Sequence, residues 1–278
     1  MAVPAKWRDM GKQTLSIIGM GKMGEAIARG LMDSPLRSGY RILGTTRTAE
    51  SARDAGKDLG IEVSTSNEDA IRSGDIILLA VKPHQVQKIL ESNQKLFHAG
   101  QLIISICAAV TTDQISEWSG GKTAILRAMP NTPCLIKSGV TAICQGPRSE
   151  DSHLKSAERI FGELGRVTVL EESLFDGVTG LSGCGPAYVY LMIEALSEAG
   201  VKVGISRKQA TALAAQTMMG AAKMVLDRAE HPAALKDEVT TPAGCTIDGL
   251  MALEEGKLRV TLIKAVLAAT RRSKLMRK

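Results

Sequence analysis

The sequence predicts an α/β domain followed by an all-helical one. Three observations carry this: a strand, glycine turn and helix near the start; short apolar runs alternating with amphipathic stretches to about residue 170; and unbroken helical spacing after it. Composition agrees. The 278 residues are 44% hydrophobic but only 3% aromatic, so Ala, Val, Ile, Leu and Met must build the core. Such a core suits helices packed closely on one another and on a sheet.

The first element, Thr14–Ile18, is short and apolar and ends in Gly19-Met20-Gly21-Lys22-Met23-Gly24, after which Glu25–Met32 continues at helical spacing. In a strand, glycine turn and helix of this kind the first two glycines let the backbone approach a pyrophosphate. The third permits close helix–strand packing, and the phosphates sit on the helix N-terminus. The spacing alone also fits a merely tight turn, but its flanks favour a Rossmann-type dinucleotide-binding domain. The next strand, Tyr40–Gly44, runs into Thr45-Thr46-Arg47-Thr48 where a site for NAD would place Asp or Glu. Hydroxyls and an arginine can receive a 2′-phosphate, which points to NADPH with NADH possible; a solvated loop arginine is the plain alternative.

Asp75–Val81, Leu102–Ile106 and Thr123–Arg127 read as buried parallel strands. Two of them empty into Ala80–His84 and Ser105–Val110, loops on the side of an open sheet where ligands bind. In Arg127–Pro133 the prolines fix the backbone, and Asn131 could present its amide to a ligand. Val140–Cys144 and Arg166–Leu170, with a helix over Asp151–Leu164, close the sheet. The expected division is a leader over residues 1–13, a Rossmann domain over 14–170 and a helical dimerisation and substrate domain over 171–278.

The helical half reads as Leu174–Ala199, Arg207–Asp227, Pro232–Val239, Ile247–Glu254 and Leu258 onward. Within Leu181–Tyr188, Pro186 breaks or starts a helix, and the small residues beside it fit either a packed kink or a ligand contact. Ala210–Met224 is apolar around much of its circumference, which implies burial against a second subunit. Val239–Gly249 reads as a loop feeding the first turn of a helix, where free backbone N–H groups can meet an anion.

Several classes of function are disfavoured. The net charge of +6 is scattered, its densest run at Arg271–Lys278, with no aromatic interleaving for nucleic acid. Five cysteines, odd in number and without CxxC spacing, suggest a reducing compartment and no structural zinc. No stretch is long and apolar enough for a signal peptide or a membrane span, so a cytoplasmic setting is expected, with targeting by the short leader as the alternative. Of the four histidines only His84 neighbours a cofactor loop, and it reads as structural.

The Gly19–Gly24 turn, Ala80-Val81-Lys82-Pro83, Met129–Pro133, Thr179–Tyr188 and Thr241–Thr246, in this order and spacing, resemble pyrroline-5-carboxylate reductases from about Thr14 nearly to the C-terminus. The resemblance implies NAD(P)H-dependent reduction of 1-pyrroline-5-carboxylate to L-proline, the last step of proline synthesis, by a homodimer assembled into a larger homo-oligomer. It places Ile18, Gly19, Met20, Gly21, Lys22 and Met23 at the pyrophosphate, and Thr46 and Arg47 at the 2′-phosphate. Asn67, Ala80, Val81, Lys82, Pro83, Cys107, Ala108 and Ala109 would line the rest of the cofactor. Glu172, Thr241, Gly244, Cys245 and Thr246 fall near the substrate. Four positions depart from the family pattern: Val110 and Ala243 stand where glycine is common, and Cys184 and Cys245 where serine, threonine or alanine is more familiar.

Hydride transfer to a cyclic imine needs no covalent intermediate and no metal, and holding the reactants in place supplies an advantage of roughly 7–11 kcal/mol. A chain whose best motifs are glycines, hydroxyls and backbone fits that chemistry. Thr246 is the expected catalytic group, donating a hydrogen bond to the substrate nitrogen. Backbone N–H groups near Gly244 and Cys245, with Thr241, would hold the carboxylate. The rival readings are a reductase of another cyclic imine or of a β-hydroxy acid, and a non-catalytic NADP(H)-binding regulator.

Overall fold

The computed structural model describes residues 12–276. Most of the expected leader lies outside them, and the first strand, β1 (Gln13–Ile18), begins at the edge of the described chain. Two compact units result, one running to Gly183 and taking in the chain from Ala269, the other spanning Cys184–Ala268. The helical domain is expected to start at Glu171, thirteen residues before the second unit begins at Cys184.

The first unit is built on one eight-stranded sheet of order β3-β2-β1-β4-β5-β6-β7-β8. Its strands are β1, β2 (Tyr40–Thr45), β3 (Glu62–Ser64), β4 (Ile76–Leu79), β5 (Leu102–Ser105), β6 (Ala124–Pro130), β7 (Gly139–Gln145) and β8 (Gly165–Val169). Helices α1 (Lys22–Met32), α2 (Ala49–Leu59), α3 (Asn67–Ser73), α4 (Pro83–Ser92), α5 (Thr112–Trp118) and α6 (Asp151–Gly162) connect them. Strands β1 to β6 are parallel, because each is joined to the next by a crossover long enough to hold a helix. Strand β7 instead pairs antiparallel with β6. Its link is a single 3-10 turn at Thr132–Ile136, too short for a crossover.

Ile76–Leu79 and Leu102–Ser105 are buried at every position, as strands covered on both faces must be. The two cores lie one to each face. Leu15, Ile17, Leu78, Ile104 and Leu126 pack with Ile27 and Leu31 of α1. Ile18, Ile77, Leu79 and Ile103 pack with Ile71, Val86, Leu90 and Ile115 of α3, α4 and α5. Period-two alternation along each strand sends neighbouring residues to opposite cores.

Beyond β8 a short helix α7 (Phe175–Val178) runs into a π turn at Thr179–Gly183. Then follow α8 (Gly185–Lys202), α9 (Arg207–Arg228), α10 (Pro232–Glu238), α11 (Cys245–Glu255) and α12 (Leu258–Leu275). Pro186 stands in the first turn of α8, so it starts that helix rather than kinking one. Helices α8 and α9 cross closely: a methyl group on Gly200 would lie 2.7 Å from Cβ of Ala210. A hydroxyl pair, Ser197 and Thr211, joins them at 2.6 Å.

Apart from Ala210 and Ala214, α9 keeps little buried within one chain. Leu213, Met219, Met224 and Leu226 on α9, and Ile263 and Leu267 on α12, are all more than two-fifths exposed. That is more apolar surface than a solitary helical unit would leave in water. The last turn of α12 belongs to the first unit, where Ser273 donates to Asp176 of α7 at 2.7 Å with both residues buried.

Candidate active site

The carboxyl ends of β3, β2, β1, β4 and β5, five neighbours in the sheet, bring the expected cofactor residues of the first unit to one edge. Ile18 ends β1 fully buried, and Gly19 follows at φ +101°. A methyl group there would lie 2.9 Å from the Ala80 carbonyl oxygen and 2.8 Å from the Val81 side chain, so the turn and the loop after β4 require glycine. Met20 turns inward, 6% exposed, and its N–H donates to the Thr45 carbonyl at 2.7 Å. Gly21 is the N-cap of α1 and has no side-chain cap. The first-turn N–H groups at Lys22 and Met23 therefore lack any capping side chain, which is the arrangement a pyrophosphate fits.

Lys82 and Pro83 begin α4, with the Lys82 N–H capped by Gln85 at 3.2 Å. Cys107 is 2% exposed, its thiol reaching the Val81 carbonyl at 3.2 Å, and burial pushes that thiol's pKa up. Ala109 takes φ +61°, a left-handed conformation one residue before the expected glycine position, Val110. Thr46 donates to the Thr48 carbonyl, while Arg47 is exposed at the start of α2. Thr45, read with them as a receiver of phosphate, is instead 1% exposed: it is the last residue of β2 and its hydroxyl points inward. That hydroxyl accepts from Gly19 N–H at 3.2 Å and donates to Asn67 Oδ1 at 2.7 Å.

Asn131 does not offer its amide to a ligand. Its Nδ2 donates to the Ser182 carbonyl at 3.1 Å and its Oδ1 accepts from Val140 N–H at 3.0 Å, so both ends clasp the backbone. Glu172 is similarly occupied. Its carboxylate accepts from Thr112 N–H at 2.9 Å and from the Thr112 hydroxyl at 2.6 Å, and pairs with Arg127 at 3.1 Å.

Arg127 was read only as the end of a strand, yet it is wholly buried, with its guanidinium 4.9 Å above the Phe175 ring. Its Nε and Nη2 find no hydrogen-bond partner among the described residues. The available signal was an arginine inside an apolar strand, since a buried charge demands a carboxylate; nothing in the sequence says which one. Opposite Arg127 in the register stands Cys144, whose thiol is pushed up to about 12, first by burial and then by the Glu172 charge.

In the second unit, Gly244 is the N-cap of α11 without a side-chain cap, so the N–H groups of Cys245 and Thr246 point free from the helix start. A turn fixes the approach: Gly244 N–H donates to the Thr241 carbonyl at 3.0 Å. A methyl group on Gly244 would lie 2.5 Å from Thr241 Oγ1, so that hydroxyl lies directly over the glycine. Cys245 is exposed, and the half-buried Thr246 hydroxyl makes no hydrogen bond among the described residues. Ala243 stands at φ +59°, where glycine would be unstrained. Replacing it by glycine is expected to raise stability by about 0.5–1 kcal/mol, the relief of left-handed strain less the added freedom of the unfolded chain; the urea midpoint of the Ala243→Gly variant checks this.

A mostly parallel sheet with an uncapped glycine turn at its carboxyl edge, followed by a helical unit, defines a two-domain dinucleotide-dependent oxidoreductase. A family profile described as pyrroline-5-carboxylate reductase dimerisation matches residues 172–276, and one described as NADP oxidoreductase, coenzyme F420-dependent, matches 14–109. The chain is 40% identical to a pyrroline-5-carboxylate reductase of Glycine max, over 94% of this chain and 95% of the relative. A solved pyrroline-5-carboxylate reductase structure from Coxiella burnetii matches with TM-score 0.90 at 33% identity, covering 96% of this chain and 100% of the other. A Plasmodium falciparum pyrroline carboxylate reductase with NADP bound matches with TM-score 0.85 at 33% identity, covering 97% and 100%. This chain belongs to the pyrroline-5-carboxylate reductase family.

Proposed function

We propose that this protein reduces 1-pyrroline-5-carboxylate to L-proline with NADPH, completing proline biosynthesis, and that its helical unit pairs it into a homodimer. The observation that carries the reading is likeness to named reductases over nearly the whole chain, with the Thr241–Thr246 loop inside the matched dimerisation profile. A preference for NADPH draws support from Thr46 and Arg47, which stand where an acidic residue would otherwise meet the ribose. The bound nicotinamide supplies the hydride.

The protein's own part is to hold and orient. The uncapped N–H groups of Lys22 and Met23 take the pyrophosphate, and Ala80–Pro83 with Ala108 wall the cofactor edge, while Ile18 and Cys107 lie buried behind it. The start of α11 takes the substrate carboxylate on the N–H groups of Cys245 and Thr246; a helix N-terminus favours an anion by about 0.3–1 kcal/mol, and more where water is excluded. Thr246 Oγ1 donates a hydrogen bond to the ring nitrogen as the imine carbon receives the hydride and the C=N double bond becomes single, and the proton that the nitrogen gains is drawn from solvent water. Glu172, committed to Arg127 and Thr112, braces the first unit rather than touching substrate.

Oxidation of NADPH and of NADH is followed separately with pyrroline-5-carboxylate and with a six-membered cyclic imine. The reading expects turnover with the five-membered substrate, faster with NADPH. Turnover only with the larger ring would replace it by another imine reductase, and cofactor binding without turnover by a regulator.

The dimer accounts for the bare apolar residues of α9 and α12. Leu267, 59% exposed in the single chain, lines a shallow apolar groove with Leu262, Ile263 and Val266. A charge there has no partner once buried, so Leu267→Asp is expected to shift the protein to monomers in sedimentation while its far-ultraviolet circular dichroism stays helical.

A further inference from the structure

Thr45 is a buried hydroxyl at the cofactor edge that the assignments above leave without a role. At 1% exposure it cannot touch the cofactor. It instead joins two segments that do: Gly19 N–H donates to its Oγ1 at 3.2 Å, and the same Oγ1 donates to Asn67 Oδ1 at 2.7 Å. Its carbonyl takes the Met20 N–H as well, so one residue holds the N–H groups of the two peptides on either side of Gly19.

The proton count decides the orientation of Asn67. Gly19 N–H occupies one acceptor site of the Thr45 hydroxyl, and the single hydroxyl proton is directed at the atom of Asn67 that faces it, the carbonyl oxygen Oδ1. The amide NH₂ of Asn67 is thereby turned away from Thr45, and it makes no hydrogen bond among the described residues. Asn67 begins α3 directly after the Ser66 cap, and Thr45 is β-branched with a stiff χ1, so both partners of this bond are held.

We propose that Thr45 is a positioning residue for the dinucleotide. It sets the first glycine of the pyrophosphate turn and fixes the amide of Asn67 so that its NH₂ faces an acceptor oxygen of the cofactor, a ribose hydroxyl or a phosphate. The proposal rests on the dinucleotide reading of this edge. Thr45→Val keeps the shape but leaves Gly19 N–H unpaired and Asn67 free to flip; Thr45→Ser keeps the hydroxyl.

The test is NADPH binding by fluorescence titration, beside kinetics with pyrroline-5-carboxylate. In Thr45→Val the Kd and KM for NADPH rise about 10-fold, as expected for one buried donor left unsatisfied. The fall in kcat is smaller than the rise in KM, and Thr45→Ser restores most of the affinity. In an Asn67→Ala background the same replacement costs less, because the amide it orients is gone. An unchanged Kd in Thr45→Val overturns the proposal alone. So does a loss shared equally by kcat, KM and the unfolding midpoint that serine fails to rescue, which is a structural role only. A wild-type protein that binds no NADPH overturns the dinucleotide reading and the proposal together.

Discussion

Thr246→Ala is expected to lower kcat about 100-fold, the usual cost of removing one well-placed donor to a reacting atom. Its unfolding free energy from urea titration should move by no more than about 0.5 kcal/mol, because the residue is half-buried and its hydroxyl makes no hydrogen bond among the described residues. Thr246→Ser, which keeps the hydroxyl, should recover most of the rate. Steady-state kinetics at saturating NADPH reads all of this, and an alanine variant as fast as the wild type would remove Thr246 from the mechanism. The carboxylate cradle predicts a different signature. Its donors are backbone N–H groups at Cys245 and Thr246, so no side-chain deletion in the loop abolishes substrate binding outright.

The second large effect concerns the buried charge of Arg127. Glu172→Ala leaves a fully buried guanidinium without its carboxylate, and about 3–5 kcal/mol of stability should be lost. Arg127→Met should cost less, about 1–2 kcal/mol. Glu172 is 24% exposed, so water reaches the carboxylate left behind, which also keeps its two bonds from Thr112. The double replacement should be more stable than Glu172→Ala alone, since the stranded charge is gone. Urea unfolding at one fixed protein concentration measures the set, fixed because dimerisation makes the midpoint concentration-dependent. Equal losses for the two single variants would contradict the asymmetry.

Most of the fold could be read from apolar spacing and caps. Asp75–Val81 and Leu102–Ile106 became β4 and β5 because a fully buried parallel strand has no polar face to blur its ends. Beyond Ala199 the helical half followed its punctuation, with Ser206, His231 and Gly244 standing as caps. The single helix expected over Leu174–Ala199 is broken: α7 runs into the π turn at Thr179–Gly183 and α8 starts anew at Gly185, with Pro186 in its first turn. Strand β3 was missed: three residues long and partly exposed, it carries no apolar run. Strand β6 outran its expected end at Arg127 and reaches Pro130, which suits an end position because proline has no N–H to give the ladder. The turn read at Arg127–Pro133 thus begins later, at Asn131, whose amide is spent on the backbone.

The site was legible where backbone makes it and obscure where side chains brace it. Glycine spacing exposes the pyrophosphate turn and the start of α11, because there the absence of a side chain is itself the signal. The bonds from Thr45 to Gly19 and Asn67, and from Glu172 to Arg127 and Thr112, cross 22 to 60 residues. Such partners are set by sheet order, so local pattern could pick out Arg127 as needing a carboxylate and still not name Glu172.

The central claim is direct hydride transfer to a five-membered imine held by this chain, and isotope transfer tests it without reference to any variant. NADPH carrying deuterium at C4 of the nicotinamide, prepared as each of its two diastereomers, is incubated with the protein and unlabelled pyrroline-5-carboxylate. One diastereomer should pass its label to C5 of L-proline, the former imine carbon, and the other should pass none. Label lost to water, or NADPH oxidised without labelled proline from either form, would contradict the account.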